Sequence, residues 1–302
     1  IAVQAMIAAH KNTPGHSAII STLPEGLPAK AREIMIAEGV IPLQGLEDGL
    51  MAINSAAWIK QRWQQISDNN TNTILRSCSE LNGDVKFLDE MQSKRLLSSY
   101  GLRIPQNKTV PIDQAAEAAK SIGYPVVVKA VSANLAHKTE AGGVAINLID
   151  EDAVIKAADA MRALTNIVLV EEMITDVVAE IIVGVSRDPQ FGLSLVVGSG
   201  GVLVELLKDS APLLLPASNN DILSALESLK LYPLLDGYRG SVRGDIQALV
   251  EAIENVCRFV VENDNRILEL DINPMMVLAE GQGVILADAM IRMVTEKENQ
   301  ND

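Results

Sequence analysis

Gly123-Tyr-Pro-Val126-Val-Val-Lys129-Ala130 decides the fold class of the larger part of this chain. Val126 to Val131 is apolar and largely β-branched apart from Lys129, which predicts a buried strand. A helical stretch, Asp113 to Ile122, precedes it and stops at Gly123. A loop, Ser132 to Gly143, follows and leads to a strand over Val144 to Ile149, a helix over Glu151 to Leu164 and a strand over Ile167 to Met173. Two more strands come in succession, Val177 to Val185 and Leu193 to Val197, ending in the tight turn Gly198-Ser-Gly-Gly201. Beyond Pro216 lie a helix (Asp221 to Leu229), the turn Gly237-Tyr-Arg-Gly240, a long helix (Asp245 to Val261) and two closing strands, Ile267 to Leu278 and Val284 to Ala289. Strands that follow one another without helices between them predict an α+β domain, not a doubly wound sheet.

Upstream, Leu88 to Tyr100 reads as a helix ended by Gly101, and Ile104 to Val110 as a strand. Residues 1–66 differ: short β-branched runs (Ser17 to Ser21, Val40 to Leu43) alternate with helical stretches (Ile1 to His10, Pro28 to Glu38, Leu46 to Ile66), the order of half a doubly wound α/β unit. The polar segment 67–83 has linker chemistry. The expected organisation is a partial α/β domain over 1–66, a linker over 67–86, an α+β domain over 87–295 and a charged tail over 296–302. The chain begins at Ile1 inside a helical pattern, so we expect a piece of a longer protein.

The 302 residues are 48% hydrophobic and 21% charged, a globular composition. The net charge of -14 disfavours non-specific binding to nucleic acid or an anionic membrane, so any bound phosphate needs a local cationic site. No apolar run reaches the roughly 20 residues that span a bilayer. Cys78 and Cys257 form no metal or redox spacing and read as reduced thiols of a cytoplasmic protein.

Lys129 has two readings: an edge-strand lysine reaching water, or a cation aimed across a cleft at phosphate. His137, followed by Gly142-Gly143, is either a surface histidine or a nucleophile toward phosphorus beside backbone that approaches an anion closely. Arg187 is a turn residue or a fork for phosphate oxygens. In Glu269-Leu-Asp271-Ile-Asn273-Pro274 period-two alternation puts three oxygen donors on one strand face, as Mg²⁺ would want. Asp288, in the apolar run Val284-Ile-Leu-Ala-Asp288-Ala, is expected to meet that face from a neighbouring strand.

Residues 87–294 resemble the ATP-grasp module of NDP-forming acyl-CoA synthetases, the ADP-forming acetyl-CoA synthetase group related to succinyl-CoA synthetase. The likeness rests on Gly123 to Lys129, His137-Lys-Thr-Glu-Ala-Gly-Gly-Val144, Gly184-Val-Ser-Arg-Asp-Pro-Gln-Phe-Gly192, Gly198-Ser-Gly-Gly-Val-Leu-Val-Glu205 with Leu207-Lys-Asp209, Tyr232 to Gly240, and Leu270 to Pro274, in the family's order. Residues 1–66 resemble the end of the flavodoxin-like, succinyl-CoA synthetase-like domain that precedes this module. The resemblance implies that Lys129 contacts nucleotide phosphates and that Glu171, Glu172 and Met173 lie beside adenine and ribose. Arg187 and Glu205 would line the same cleft. Asn273 and Asp288 would ligate Mg²⁺, with Asp271 accessory, and His137 would exchange phosphate with ATP/ADP. It further implies CoA as a substrate of the complete enzyme, CoA-binding and first-phosphohistidine domains upstream or on a separate subunit, and compatibility with a homo-oligomer. Two other classes compete: a degenerate regulatory ligase-like region of a protein acyltransferase, and a carboxylate–amine ATP-grasp ligase, which needs no His137.

Overall fold

The computed structural model describes residues 2–69, 81, 83–131, 142–201 and 209–295. The chain divides into two units, Ile1–Ile74 and Leu75–Asp302. The first contains α1 (Ala2–Lys11), β1 (Ser17–Ser21), α2 (Ala29–Ala37), β2 (Val40–Gln44) and α3 (Leu46–Asn69). β1 and β2 pair in parallel, Ser17 opposite Val40 through Ser21 opposite Gln44, the pairing that the β–α–β order predicts. Its core is small: Leu27, Met35 and Val40, with Val3, Ile7 and Ile19 against them. The apolar residues of α3 that the sequence marks, among them Leu50, Met51, Trp58 and Trp63, are exposed.

The second unit holds two antiparallel sheets, as the succession of strands requires. Its elements in order are β3 (Asp84–Leu88), α4 (Glu90–Ser98), β4 (Asn107–Pro111), α5 (Ala115–Ile122), β5 (Val126–Ala130), β6 (Val144–Leu148), α6 (Glu151–Ala160) and β7 (Ile167–Glu172). Then come β8 (Ala179–Asp188), β9 (Gly192–Ser199), β10 (Ser210–Leu214), α7 (Asn219–Glu227), α8 (Tyr232–Leu235), α9 (Ile246–Glu262), β11 (Ile267–Val277), β12 (Val284–Leu286) and β13 (Ala289–Thr295). The small sheet runs β4-β7-β5-β6. One of its faces packs Val126, Val128, Val168 and Val170 onto Ala118 and Ala119 of α5 and Val154 and Ala158 of α6. The large sheet runs β10-β9-β8-β11-β13-β3, with β12 also on β11, and its buried face packs on α7 and α9. Phe259 and Cys257 of α9 lie in that core, and burial pushes the Cys257 thiol up to about 12. Cys78 lies outside the described residues. Among the described residues no helix is long and apolar enough to cross a membrane.

Three local readings change. The helix expected from Leu88 starts at Glu90, because Asp89 caps it: its side chain accepts from Gln92 N (2.8 Å) while the Gln92 side chain accepts from Asp89 N. Residues Asp84–Leu88 instead add a strand to β13, with Leu88 opposite Ile291. The closing run Val284 to Ala289 is broken at Ala287 and Asp288, between β12 and β13. Finally, β9 continues into the glycine-rich turn through Ser199. Gly200 is required there: a Cβ would stand 2.8 Å from the Glu180 backbone, whose oxygen accepts from Gly200 N at 2.6 Å.

Candidate functional site

Lys129 lies on β5, which is flanked by β7 and β6, so the edge-strand reading is overturned. In the β5–β7 ladder Lys129 stands opposite Leu169 and Val127 opposite Glu171. Alternation therefore puts Lys129 and Glu171 on one face as diagonal neighbours, with the valine core on the other. Helix α4 supplies Glu90 and Lys94, one turn apart, to the polar face. The four charges close a ring. Glu90 Oε1 accepts from Lys94 Nζ at 2.8 Å and from Lys129 Nζ at 2.6 Å. Glu171 Oε1 pairs with Lys94 Nζ at 2.7 Å and its Oε2 with Lys129 Nζ at 2.9 Å. All four residues are buried, Lys94 completely. Burial by itself would lower the Lys129 ammonium, but the carboxylates of Glu90, Glu171 and Asp288 outweigh it and hold Lys129 above its ordinary value.

Lys129 also joins the two sheets. Its Nζ donates to the Ala287 carbonyl at 3.0 Å, next to Asp288. Asp288 is not in a strand, contrary to expectation. β11 pairs with β13 as far as Ile272 and with β12 from Met275, with a bulge between. Pro274 has no N–H for the ladder, so the partner strand breaks opposite it. Asn273 N donates to the Asp288 carbonyl at 3.3 Å, and Ala287 N donates to the Pro274 carbonyl at 3.0 Å. The exposed Asn273 and half-buried Asp288 thus sit together at the bulge, beside Lys129. The expected face is present on β11: Leu270 and Ile272 point into the core, and Glu269 and Asp271 are half-buried on the other side. Glu269 Oε2 pairs with Arg292 Nε at 3.4 Å.

The Asp271 carboxyl is raised by burial first and by the Glu269 charge second. A carboxylate under that strain is suited to a cation. Among the described residues no three His, Cys, Asp or Glu side chains gather into a metal cage. Oxygen donors from Asn273, Asp288 and Asp271 fit the open kind of site, in which Mg²⁺ keeps waters and takes phosphate oxygens.

Asp271→Asn should therefore raise the melting temperature at neutral pH. The folded carboxyl titrates above its ordinary value near 3.8, so the folded chain binds more protons than the unfolded chain in the window just above that value. Stability then falls as pH rises through the window, and the amide removes the loss. Thermal melts of both chains should differ at neutral pH and converge at about pH 3, below the ordinary carboxylate range. An Asp271→Asn chain that melts no higher at neutral pH contradicts the strain.

Other sequence-marked residues are placed as follows. Gly143 lies beside the end of β5, its carbonyl accepting from Ala130 N at 2.7 Å, and Gly142 adopts φ +73°. Glu172 is exposed at the end of β7, its carboxylate accepting from Gln106 N at 3.4 Å. The Met173 sulfur accepts from Asn147 N at 3.2 Å, which fixes the side chain over β6. Arg187 is not brought to the group. Its guanidinium bonds the Asp264 carbonyl, pairs with Asp264 Oδ1 at 2.7 Å and donates to the Ile267 carbonyl at 3.2 Å. Ile267 precedes Asn273 by six positions on β11, about 20 Å along a strand. His137 and Glu205 lie outside the described residues. Sequence reading passed over Glu90 and Lys94. Their signal is that Glu90, Ser93, Lys94 and Leu97 form one helical stripe, so charges occupy the buried side of α4.

Residues 80–293 match the family model described as the ATP-grasp domain. The chain is 33% identical over 211 residues to the beta subunit of acetate–CoA ligase [ADP-forming] II from Pyrococcus furiosus, covering 67% of this chain and 89% of that one. It is 32% identical over 303 residues to the acetate–CoA ligase [ADP-forming] of Methanocaldococcus jannaschii, covering 93% of this chain but only 42% of that longer one. Among solved structures it is similar to the dinucleotide-forming acetyl-coenzyme A synthetase 1 of Ca. Korarchaeum cryptofilum in complex with coenzyme A and Mg-AMPPCP, its phosphohistidine segment pointing towards the nucleotide binding site. That match has a TM-score of 0.61 and 37% identity, and covers 70% of this chain and 93% of that one.

Proposed function

The chain belongs to the ATP-grasp family, in the company of ADP-forming acid–CoA ligases, and from that premise we propose that it is the nucleotide-binding, phosphoryl-transferring part of an ADP-forming acyl-CoA synthetase. The complete reaction converts carboxylic acid, CoA and ATP to acyl-CoA, ADP and phosphate. The observation that carries this reading is the reach of Lys129 from the small sheet to Ala287 of the large one, beside Asn273 and Asp288 (Nζ to carbonyl oxygen 3.0 Å). One cation and a set of oxygen donors thereby face each other across two sheets, as phosphate and its metal require. In a strongly acidic chain this local cation is what lets an anion enter.

In the proposed roles Lys129 binds phosphate oxygens, the segment Glu171 to Met173 lines the base and ribose, with the Glu171 carboxylate itself engaged by Lys94 and Lys129, and the Gly142-Gly143 backbone approaches phosphate. Asn273 and Asp288, with Asp271 accessory, would hold Mg²⁺, which when bound neutralises charge on the transferring group. Arg187 and Glu205 stay proposed as further cleft residues, Arg187 needing release from Asp264. His137 acts as nucleophile: a neutral imidazole nitrogen attacks the γ-phosphorus of ATP, the bond to the β,γ-bridging oxygen breaks, and ADP leaves. Run backwards, phosphohistidine phosphorylates ADP. Residues 1–66 are proposed as the end of a flavodoxin-like ligase domain and 296–302 as tail; the ATP-grasp domain, expected from 87 after a linker over 67–86, is proposed to begin before Asp84, because Asp84–Leu88 pair with β13 and the family match starts at residue 80. The parallel β1–β2 pair and the match of the longer M. jannaschii relative over 93% of this chain support the first of these. CoA-binding and first-phosphohistidine domains would lie upstream or on a separate subunit, in a cytoplasmic enzyme.

The test is incubation with γ-labelled ATP and Mg²⁺, with location of the label by mass spectrometry. Acid-labile, base-stable phosphate should appear on His137, and nucleotide at a hundred times Kd should add about 2.7 kcal/mol of stability. Label that persists in His137→Ala, or that resides on His10 or His16, overturns the assignment.

A further inference from the structure

Lys94 has no part in the roles above, yet it is fully buried and bonded to the same two carboxylates as Lys129. We propose that Lys94 is the standing counter-ion of the site: it keeps Glu90 and Glu171 neutralised so that Lys129 can leave them for a nucleotide phosphate. The proposal rests on the nucleotide reading of Lys129 and makes Lys94 a positioning residue that acts through it.

Two observations set the lysines apart. The Lys94 side chain is 0% exposed, whereas that of Lys129 is 10% exposed and already reaches Ala287. Lys129 therefore fronts the space between the sheets while Lys94 lies behind the carboxylates. The ring carries two positive and two negative charges. If Lys129 turned away with no Lys94 behind it, Glu90 and Glu171 would lose both of the ammonium groups that hold them, a strongly unfavourable loss for buried carboxylates. With Lys94 in place one ammonium still contacts both, at 2.8 Å to Glu90 and 2.7 Å to Glu171, and the exchange is far less costly. Charge balance, not volume, is the requirement. Removing Lys94 should lock Lys129 into its ion pairs. Removing one carboxylate should loosen it.

The experiment measures Mg-ATP affinity by calorimetry and melting temperature for the unsubstituted chain, Lys94→Met, Glu90→Gln and the double variant. Lys94→Met should weaken binding by at least about tenfold. The double variant, neutral again, should return to within about threefold of the unsubstituted chain. Glu90→Gln should bind at least as tightly as the unsubstituted chain although it melts lower. Affinity that simply follows melting temperature through the series overturns the proposal, as does a double variant no better than Lys94→Met. Should Lys94→Met fail to fold, Glu90→Gln still decides, since weaker binding there contradicts the exchange. Failure of the unsubstituted chain to bind Mg-ATP overturns the nucleotide reading itself and this proposal with it, an outcome distinct from normal binding that ignores ring charge.

Discussion

Glu171→Ala should lower the melting temperature of the Leu75–Asp302 unit by roughly 10 °C. Glu171 Oε1 and Oε2 each hold a different lysine, Lys94 at 2.7 Å and Lys129 at 2.9 Å. Without them the two buried ammonium groups share one carboxylate oxygen, Glu90 Oε1, with the Ala287 carbonyl beside it for Lys129. Removing one partner of a buried ionic group typically costs about 3–5 kcal/mol, because an uncompensated charge stays behind. Two features push the value to the upper end: the backbone around Glu171 is fixed in the β5–β7 ladder, and Lys94 is fully buried. Differential scanning calorimetry at neutral pH checks it. A fall of only a degree or two would mean that water or a shift of α4 replaces the carboxylate, and that the ring is not a rigid unit.

Lys129→Ala should weaken Mg-ATP binding by about 2–3 kcal/mol, the cost of truncating one partner of a desolvated charged contact, or about 30- to 150-fold in Kd. Position gives this lysine its weight. It stands on an interior strand, its ammonium is held charged by Glu90, Glu171 and Asp288, and it meets the segment that carries the oxygen donors. Lys129→Arg should not rescue: a planar fork cannot make the same three close contacts from a compact point charge. Titration calorimetry decides, and an unchanged Kd would reduce Lys129 to a structural ion pair.

Much of this site is legible in the sequence because strands expose their logic through period two. Glu269 to Asn273 declares which side chains share a face, and the structure puts Glu269 and Asp271 on the side away from the core; Val126 to Ala130 declares a buried strand, and the face of Lys129 follows from its pairing with β7. Three things are not legible, each for a reason of distance. The Asp84–Leu88 strand is exposed along most of its length and exists because β13, some two hundred residues later, has an edge to pair. The break at Asp288 is imposed by Pro274 on the neighbouring strand, so the apolar run itself gives no warning. Arg187 is claimed by Asp264, which no local pattern connects to it. Glu90 and Lys94 are a fourth case, of a different kind. Their spacing looks like an ordinary solvent-facing pair, and only the shared stripe with Leu97 places it inside.

Cys257 gives the chain a built-in clock. Its thiol is buried in α9 against the large sheet and pushed up to about 12, so at mildly alkaline pH it offers a thiol reagent neither access nor thiolate. Labelling must wait for the helix to lift, and its rate reports the population of that opened form. With Cys78 replaced by Ser, Cys257 is the one thiol left in the sequence. Added Mg-ATP slows labelling by the factor one plus ligand over Kd only where the opening also dismantles the nucleotide cleft. A rate that ignores the nucleotide would mark α9 as an element that breathes by itself.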